Sequence, residues 1–151
     1  MFETERLRVR RIEEGDAGFM LAVLTDPGFL ANIGDRGVRT IADAEAYVRE
    51  RVLASYDKHG FGMFRVSLKA DDEPVGTAGL VSREGLDGPD LGFAFLTAHI
   101  GRGYAYEASA ALLVKLCFVE TGRVTLPDHG GESRLFARRS RHGDSREGGN
   151  P

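Results

Sequence analysis

Several residue types are scarce in this 151-residue chain, and each scarcity excludes a class of protein. A single cysteine, Cys117, rules out an internal disulfide, so a reducing, cytoplasmic compartment is expected. Four scattered histidines and that one cysteine offer no metal-ligand spacing, so no metal site is predicted. No apolar run approaches the roughly 18 residues that span a bilayer, and the charged residues 1–6 lack the apolar segment of a secretion signal. We therefore expect no membrane partner.

The charge balance excludes another class of partner. Twenty basic residues stand against 23 acidic ones and give a net charge of −3, so a globally basic nucleic-acid binder is not expected. Apolar residues make up 42% and charged residues 28% of the chain, which is typical of one soluble globular domain.

Glycine is abundant, with 20 residues, and it is unevenly distributed. Residues 127–151 hold five glycines and five arginines, with few large apolar side chains beyond Leu135 and Phe136. Such a segment cannot bury enough apolar surface to offset the entropy lost on ordering. The sequence therefore predicts one domain over residues 3–126, followed by a disordered tail over residues 127–151.

Hydrophobic periodicity predicts the element order β-α-α-β-β-β-α-β. The expected strands cover residues 6–12, 63–69, 75–81, 91–96 and the beginning of a strand at 124–126. The expected helices cover residues 17–24 and 41–58, and a third helix to which residues 98–105 lead and which ends at about residue 121. Residues 29–39 are expected to form a loop. The strand at 91–96 is almost continuously apolar, which indicates a position in the middle of the sheet.

One segment of the sequence carries chemistry: a buried strand, a loop with two glycines, and the start of a helix. The first N–H groups of a helix have no intrahelical acceptor, and the helix dipole favours negative charge there. Gly101 and Gly103 have no Cβ, so a bulky phosphate can approach the backbone, and Arg102 adds a cation. The segment therefore predicts an anion-binding site.

The local pattern excludes two common phosphate-binding motifs. A Walker loop requires Gly-Lys-Ser/Thr, and no lysine here follows a glycine. A dinucleotide fingerprint requires Gly or Ala where Tyr106 stands. A glycine-rich turn that binds no ligand remains an alternative.

The order and spacing of short motifs resemble the GCN5-related N-acetyltransferase (GNAT) superfamily, and within it the ribosomal-protein N-terminal acetyltransferase branch. The motifs lie at residues 4–10, at Asp16, and at residues 60–64, 75–80, 90–93 and 100–108. The resemblance implies an α/β (α+β) fold with a mixed central sheet and helices on both faces. It also implies an enzyme that transfers an acetyl group from acetyl-CoA to a primary amine, either a protein N-terminus or a small molecule.

The superfamily's acetyl-CoA motif falls on residues 100–105 of this chain. The positions are Ile100, Gly101, Arg102, Gly103, Tyr104 and Ala105, with Ile100 in place of the usual polar residue. The resemblance implies that the backbone N–H groups of residues 101–105 hold the CoA pyrophosphate. It further implies that Phe95 and Leu96 pair with the pantetheine and polarise the thioester carbonyl. No catalytic acid or base is assigned.

The chain departs from the superfamily pattern after residue 126. The superfamily continues into closing strands and often supplies a tyrosine that protonates the departing CoA thiolate, whereas no tyrosine follows Tyr106 here. We therefore expect a truncated or frameshifted end that lacks the closing strands and leaves the strand at 91–96 free to pair in a homodimer. The alternative function is an inactive remnant that at most binds CoA.

A few further residues are candidates for roles beside this motif. Glu84, Asp87 and Asp90 border the expected acceptor side, where one could deprotonate the amine, although turn carboxylates are the alternative. His99, in the loop before the glycines, is expected to be exposed to solvent, and contact with the cofactor or substrate is the alternative. Glu107 is expected to stabilise the first helical turn by its charge.

Overall fold

The computed structural model describes residues 1–82, 88–116, 118–125 and 132–138, the last two segments by backbone alone. These residues belong to two compact units, Met1–Ser109 and Ala110–Pro151.

A five-stranded sheet forms the centre of the first unit. Its strands are β1 (Phe2–Glu3), β2 (Leu7–Arg11), β3 (Met63–Leu68), β4 (Pro74–Ser82) and β5 (Pro89–Phe95). They lie in the order β1-β2-β3-β4-β5, and each neighbouring pair is antiparallel. The predicted α/β fold class is confirmed, but this sheet is antiparallel throughout and not mixed.

Most of the helices lie between β2 and β3 in the sequence, and the last helix comes after β5. They are α1 (Ala17–Leu24), α2 (Pro27–Asn32), α3 (Ile41–Tyr47), a π-helical segment (Val48–Leu53), α4 (Ala54–His59) and α5 (Tyr104–Lys115). The segments from α3 to α4 follow one another without a break, as the periodicity over residues 41–58 predicts.

The π-helical segment has a physical cause in the spacing of the buried residues. Ala44, Val48, Val52 and Tyr56 are all buried, and they recur every four residues. In an α-helix of 3.6 residues per turn, three such steps rotate the stripe by about 120° away from its starting direction. A wider π turn reduces this rotation and keeps all four side chains in one core cluster.

The segment expected to be a loop at residues 29–39 begins with a helix, so the prediction is wrong for the residues in α2. The Asp26 carboxylate accepts a hydrogen bond from the Gly28 N–H at 2.9 Å and caps this helix. Pro27 occupies the first turn, where its fixed φ suits a helix and its missing N–H costs nothing. The same Asp-Pro-Gly sequence that ends α1 therefore starts α2.

Strand β5 lies at the edge of the five-stranded sheet, which corrects the expectation of a central position. Its apolar side chains are not all covered, since Phe93 is 53% exposed. An apolar strand usually packs against other apolar groups on both faces, but part of the apolar surface of β5 is exposed to solvent.

The second unit contains a strand pair of which the sequence analysis anticipated only residues 124 and 125, in the strand expected to begin at residue 124. Helix α5 ends at Lys115, short of the predicted residue 121, and β6 (Phe118–Thr125) pairs antiparallel with β7 (Glu132–Arg138). Residues 118–125 are rich in Phe, Val and Thr, which favour a strand once a partner is present. The predicted disorder is thus wrong for residues 132–138, and the expected lack of strands after the last helix is corrected. The rest of the tail lies outside the described residues.

The core of the first unit is organised around Tyr56. This side chain is 8% exposed, and its hydroxyl accepts a hydrogen bond from the Ile12 N–H and donates one to the Met63 carbonyl. Burial raises the pKa of Tyr56 above its ordinary value. The single hydroxyl thereby joins α4 to the ends of β2 and β3. On the sheet, Val9 and Val66 are paired neighbours and are fully buried.

A buried carboxylate, Asp16, fixes the turn between β2 and α1. It accepts two hydrogen bonds of 2.8 Å from the Arg10 guanidinium and one of 2.8 Å from the Glu13 N–H. Burial acts most strongly and would raise the pKa of Asp16, but the hydrogen bonds from Arg10 and Glu13 outweigh it, and the pKa lies below its ordinary value. The ionised form is therefore the one that stabilises the fold.

Substituting Asp16→Asn should lower the free energy of unfolding at pH 7 by about 2 kcal/mol, because a charged hydrogen-bond acceptor is lost from a buried site. Because the pKa of Asp16 is lower in the folded than in the unfolded state, the ionised carboxylate stabilises the folded state at pH values above the unfolded pKa of about 3.9. This contribution to stability disappears as the pH falls through the pKa of the folded state. Urea titrations between pH 7 and pH 3 should show the two proteins converging in acid. The control Asp57→Asn, at an exposed position of α4, should differ from wild type by at most about 0.5 kcal/mol. A constant difference across this pH range would contradict the account.

Candidate functional site

The loop before α5 adopts backbone conformations that favour glycine. Gly101 and Gly103 have φ values of 85° and 80°, in the left-handed region. A Cβ built on Gly101 would meet no atom within 4 Å, so the space beside this residue is open. The loop therefore presents bare backbone to an open surface.

Helix α5 begins directly after this loop and directs its N-terminus to the same place. The Gly103 carbonyl accepts the first helical hydrogen bond, from the Glu107 N–H at 3.0 Å. The N–H groups of Tyr104, Ala105 and Tyr106 precede that bond and have no acceptor within the helix. Together with the helix dipole, they favour an anion at this point.

The side chain of Glu107 ties the start of α5 to the N-terminal strand region. Its carboxylate accepts hydrogen bonds from the Thr4 hydroxyl at 2.5 Å, the Arg6 N–H at 3.1 Å and the Arg6 Nε at 2.7 Å. Burial would raise the pKa of Glu107, but the hydrogen bonds from Thr4 and Arg6 prevail, and the pKa lies below its ordinary value. Glu107 is thus a tether between distant segments, in addition to the helix-end charge that the sequence indicated.

Arg6 extends this tether to the glycine loop. Its Nη1 donates a hydrogen bond of 2.9 Å to the Arg102 carbonyl, and its guanidinium lies 4.7 Å from the centre of the Tyr104 ring. The loop is therefore held from the side opposite its open surface. Sequence reasoning missed this role, because nothing in the alternating pattern of β2 marks Arg6 as different from Arg8 or Arg10.

A second tether holds the end of β5. Asp26, the cap of α2, also accepts hydrogen bonds from the Thr97 N–H at 3.0 Å and the Thr97 hydroxyl at 2.6 Å. Burial acts to raise the pKa of Asp26, but the bonds from Thr97, Gly28 and Phe29 lower it below its ordinary value. One carboxylate thus fixes α2 relative to the turn that precedes the glycine loop.

The backbone of Phe95 faces the open edge of β5. The Leu96 N–H donates to the Val75 carbonyl at 2.9 Å, so it is occupied within the sheet. Because hydrogen bonds alternate along an antiparallel strand, the neighbouring Phe95 N–H points to the other side, away from β4. Of the two residues expected to polarise a thioester carbonyl, only Phe95 has a suitably directed N–H group.

Gly76 allows β4 to approach Phe95 closely. The two residues face each other across the strands, and a Cβ on Gly76 would lie 2.6 Å from the Ala94 carbonyl oxygen and 2.7 Å from the Phe95 ring. Any larger residue at position 76 would therefore displace Phe95.

These elements surround a cavity of about 370 Å³. Of the eight residues predicted to bind a cofactor, six line it: Phe95, Ile100, Gly101, Gly103, Tyr104 and Ala105. Leu96 and Arg102 do not. The wall opposite the loop comes from α2, which includes Phe29 and Asn32.

His99 also lines the cavity, and its side chain is only 13% exposed, which corrects the expectation of a solvent-exposed residue. Its Nε2 lies 3.4 Å from the Glu73 carboxylate, and its ring centre lies 6.5 Å from that of Tyr104. These two neighbours, from the β3–β4 turn and from α5, cover a residue that loop sequence alone marks as exposed.

The other candidates lie elsewhere. Glu84, Asp87 and Cys117 lie outside the described residues, and Asp90 pairs with Val81 within the sheet. Among the described side chains, no group of three potential metal ligands comes together. In the same part of the chain, no helix is long and apolar enough to cross a membrane.

Known structures share the architecture. A GNAT-family acetyltransferase from Bordetella pertussis is 21% identical, with a TM-score of 0.62, over 91% of this chain and 98% of that one. An acetyltransferase from Agrobacterium tumefaciens is 23% identical, with a TM-score of 0.60, over 84% of this chain and 74% of that one. The ribosomal-protein-S5-alanine acetyltransferase from Vibrio fischeri is 20% identical, with a TM-score of 0.53, over 82% of this chain and 85% of that one. At these identities the likeness shows the fold.

A search of curated proteins found no match. The family model of the acetyltransferase (GNAT) domain matches residues 6–137. This match includes the second tether, the Arg6 and Glu107 side chains of the first, the edge strand β5 and the glycine loop, and it covers most of the sequence. The chain therefore belongs to the GNAT acetyltransferase domain family.

Proposed function

We propose that this acetyltransferase takes its acetyl group from acetyl-CoA and transfers it to a primary amine. The observation that carries the proposal is the arrangement of a free strand edge at Phe95, an open glycine loop and a helix N-terminus around one cavity. The strand edge matches the amide-containing arm of CoA, and the glycine loop together with the helix N-terminus matches its pyrophosphate.

The residues present fit acetyl-CoA. The open backbone at Gly101 and the N–H groups that begin α5 would hold the pyrophosphate, and Arg102 lies beside them as a cation. The outer edge of β5 would pair with the pantetheine amides as a further strand does. The cosubstrate supplies a thioester, whose carbonyl carbon is the electrophile.

The chain contributes position and an oxyanion donor to the reaction. The Phe95 N–H is fixed by the sheet and would donate to the carbonyl oxygen as negative charge develops there. The amine nitrogen forms a bond to the carbonyl carbon while the carbon–sulfur bond breaks, and the amine proton ends on the released thiol. Which group carries that proton is not assigned.

The second candidate function is CoA binding without turnover, which needs only the cavity around the glycine loop and no proton donor for the leaving thiolate. We also propose that two copies can pair through the β5 edge. Because the pantetheine would use the same edge, added CoA should separate such a dimer, and light scattering with and without CoA measures this.

Substituting Gly101→Glu should abolish CoA binding in titration calorimetry, because it adds a side chain and a negative charge at the proposed pyrophosphate site. Gly37→Glu is the matched control, since Gly37 also has a positive φ of 75° and open space around it. The control should retain wild-type affinity. Equal affinities for all three proteins would contradict the site assignment.

Substituting Gly76→Ala should lower kcat about tenfold or more while changing CoA affinity little, because it displaces Phe95 from the position of the oxyanion donor. The assay measures thiol release with peptide N-termini, an aminoglycoside and a polyamine as acceptors. Gly15→Ala, where an added Cβ would contact nothing within 4 Å, serves as the control. If the wild-type protein binds CoA but forms no free thiol from acetyl-CoA with any acceptor, the second function, CoA binding without turnover, is the correct one. An unchanged kcat in Gly76→Ala would exclude the role of Phe95.

A further inference from the structure

A second cavity, of about 520 Å³, lies away from the glycine loop and shares no lining residue with the first. Its walls are the α3–α4 helical region and the adjoining ends of β3 and β4, at Met63 and at residues 80–82. Its volume is within the range of about 300–1,000 Å³ that is usual for small-molecule sites.

The charged groups on the walls of this cavity are mainly positive. Arg36, Arg51 and Lys58 line it, together with His59, whose ring stacks on Phe61 at 5.1 Å. Glu50 is the one carboxylate among the lining residues that the structure describes. The concave surface therefore carries an excess of positive charge.

None of the three cations has a carboxylate partner among the described side chains, which is also true of Arg11, Arg49 and Arg102. Unlike those residues, the three line one cavity. Arg6, Arg8, Arg10, Arg39 and Arg65 each contact a carboxylate. Within residues 1–82 and 88–116, no ion pair joins Arg36, Arg51 or Lys58 to an acidic side chain. A cluster of unpaired cations in a concavity raises the local concentration of anions.

Recognition of an anion in this cavity depends on the cations. The Ser55 hydroxyl donates its proton to the Phe61 carbonyl at 2.8 Å and so offers no donor to an anion. Arg36 and Arg51 supply planar guanidinium groups, which bind carboxylate and phosphate through paired N–H donors. Arg51 lies in the π-helical segment, and such turns are frequent at functional sites.

We propose that this cavity binds a small organic anion through a carboxylate or phosphate group, with Arg36, Arg51 and Lys58 as its ligands. The proposal goes beyond acetyl transfer and does not depend on it. Its connection with the rest of the protein is structural. The cavity residues Val81 and Met63 lie 3.5 and 3.7 Å from a Cβ built on Gly92, so a bound anion would lie close to β5.

The test is a ¹⁵N NMR titration of the full chain at low ionic strength, with inorganic phosphate in one series and citrate in the other. Amide signals of the π-helical segment and of residues 80–82 report on this cavity, and signals of residues 101–105 report separately on the glycine loop. We expect saturable shifts at the cavity, which added NaCl weakens. The series that saturates at the lower concentration identifies phosphate or carboxylate as the preferred group.

Arg51→Gln should weaken anion binding at the cavity about tenfold or more, the loss expected for one charge-assisted contact. Arg36→Gln is a second variant with the same expected result, and Glu50→Gln should strengthen binding. Arg49→Gln removes the same charge from an exposed position that does not line the cavity, and it should bind as wild type does. Absence of saturation by about 10 mM in both series, or an equal effect of Arg49→Gln and Arg51→Gln, would overturn the proposal.

Discussion

The position of the glycine loop depends on one carboxylate, that of Glu107. It collects hydrogen bonds from Thr4 and from two groups of Arg6, which joins the beginning of the chain to the beginning of α5. Arg6 is 44% exposed, so solvent weakens the ion pair and its contribution to stability is small. The tether mainly positions the loop. Nη1 of Arg6 donates to the Arg102 carbonyl, and the open side of Gly101 is left for a ligand.

The Asp26 carboxylate adds the constraint from the other wall of the cavity. It caps α2 and holds Thr97, so α2 and the turn after β5 cannot separate without breaking two hydrogen bonds. With Glu107, it fixes both ends of the segment from residue 97 to residue 107. A loop held at both ends orders its N–H groups before an anion arrives, which lowers the entropic cost of binding. Gly76 serves the same purpose at Phe95 by allowing close contact between the strands.

Local patterns in the sequence predicted most elements, and the resemblance to the GNAT superfamily implied the fold class and the position of the cofactor motif. Alternation predicted β2 and β3, continuous apolarity predicted β5, and the glycine pair before an apolar helix marked the cavity that six of eight predicted residues line. What failed depended on partners distant in sequence. Residues 118–125 continue an apolar pattern compatible with a helix, and only pairing with residues 132–138 makes them a strand. His99 looks exposed until Glu73 and Tyr104 are placed beside it. The tethers of Arg6 and Asp26 span about 100 and 71 residues, beyond the reach of any local pattern.

The central claim is that the glycine loop, the start of α5 and the edge of β5 form one prearranged site for CoA. Hydrogen–deuterium exchange with and without CoA tests it most directly, because the proposed contacts are to backbone N–H groups. The account predicts slower exchange in peptides covering residues 93–107 and no change in those covering the π-helical segment. Protection elsewhere in the chain, with residues 93–107 unaffected at saturating CoA, would contradict it.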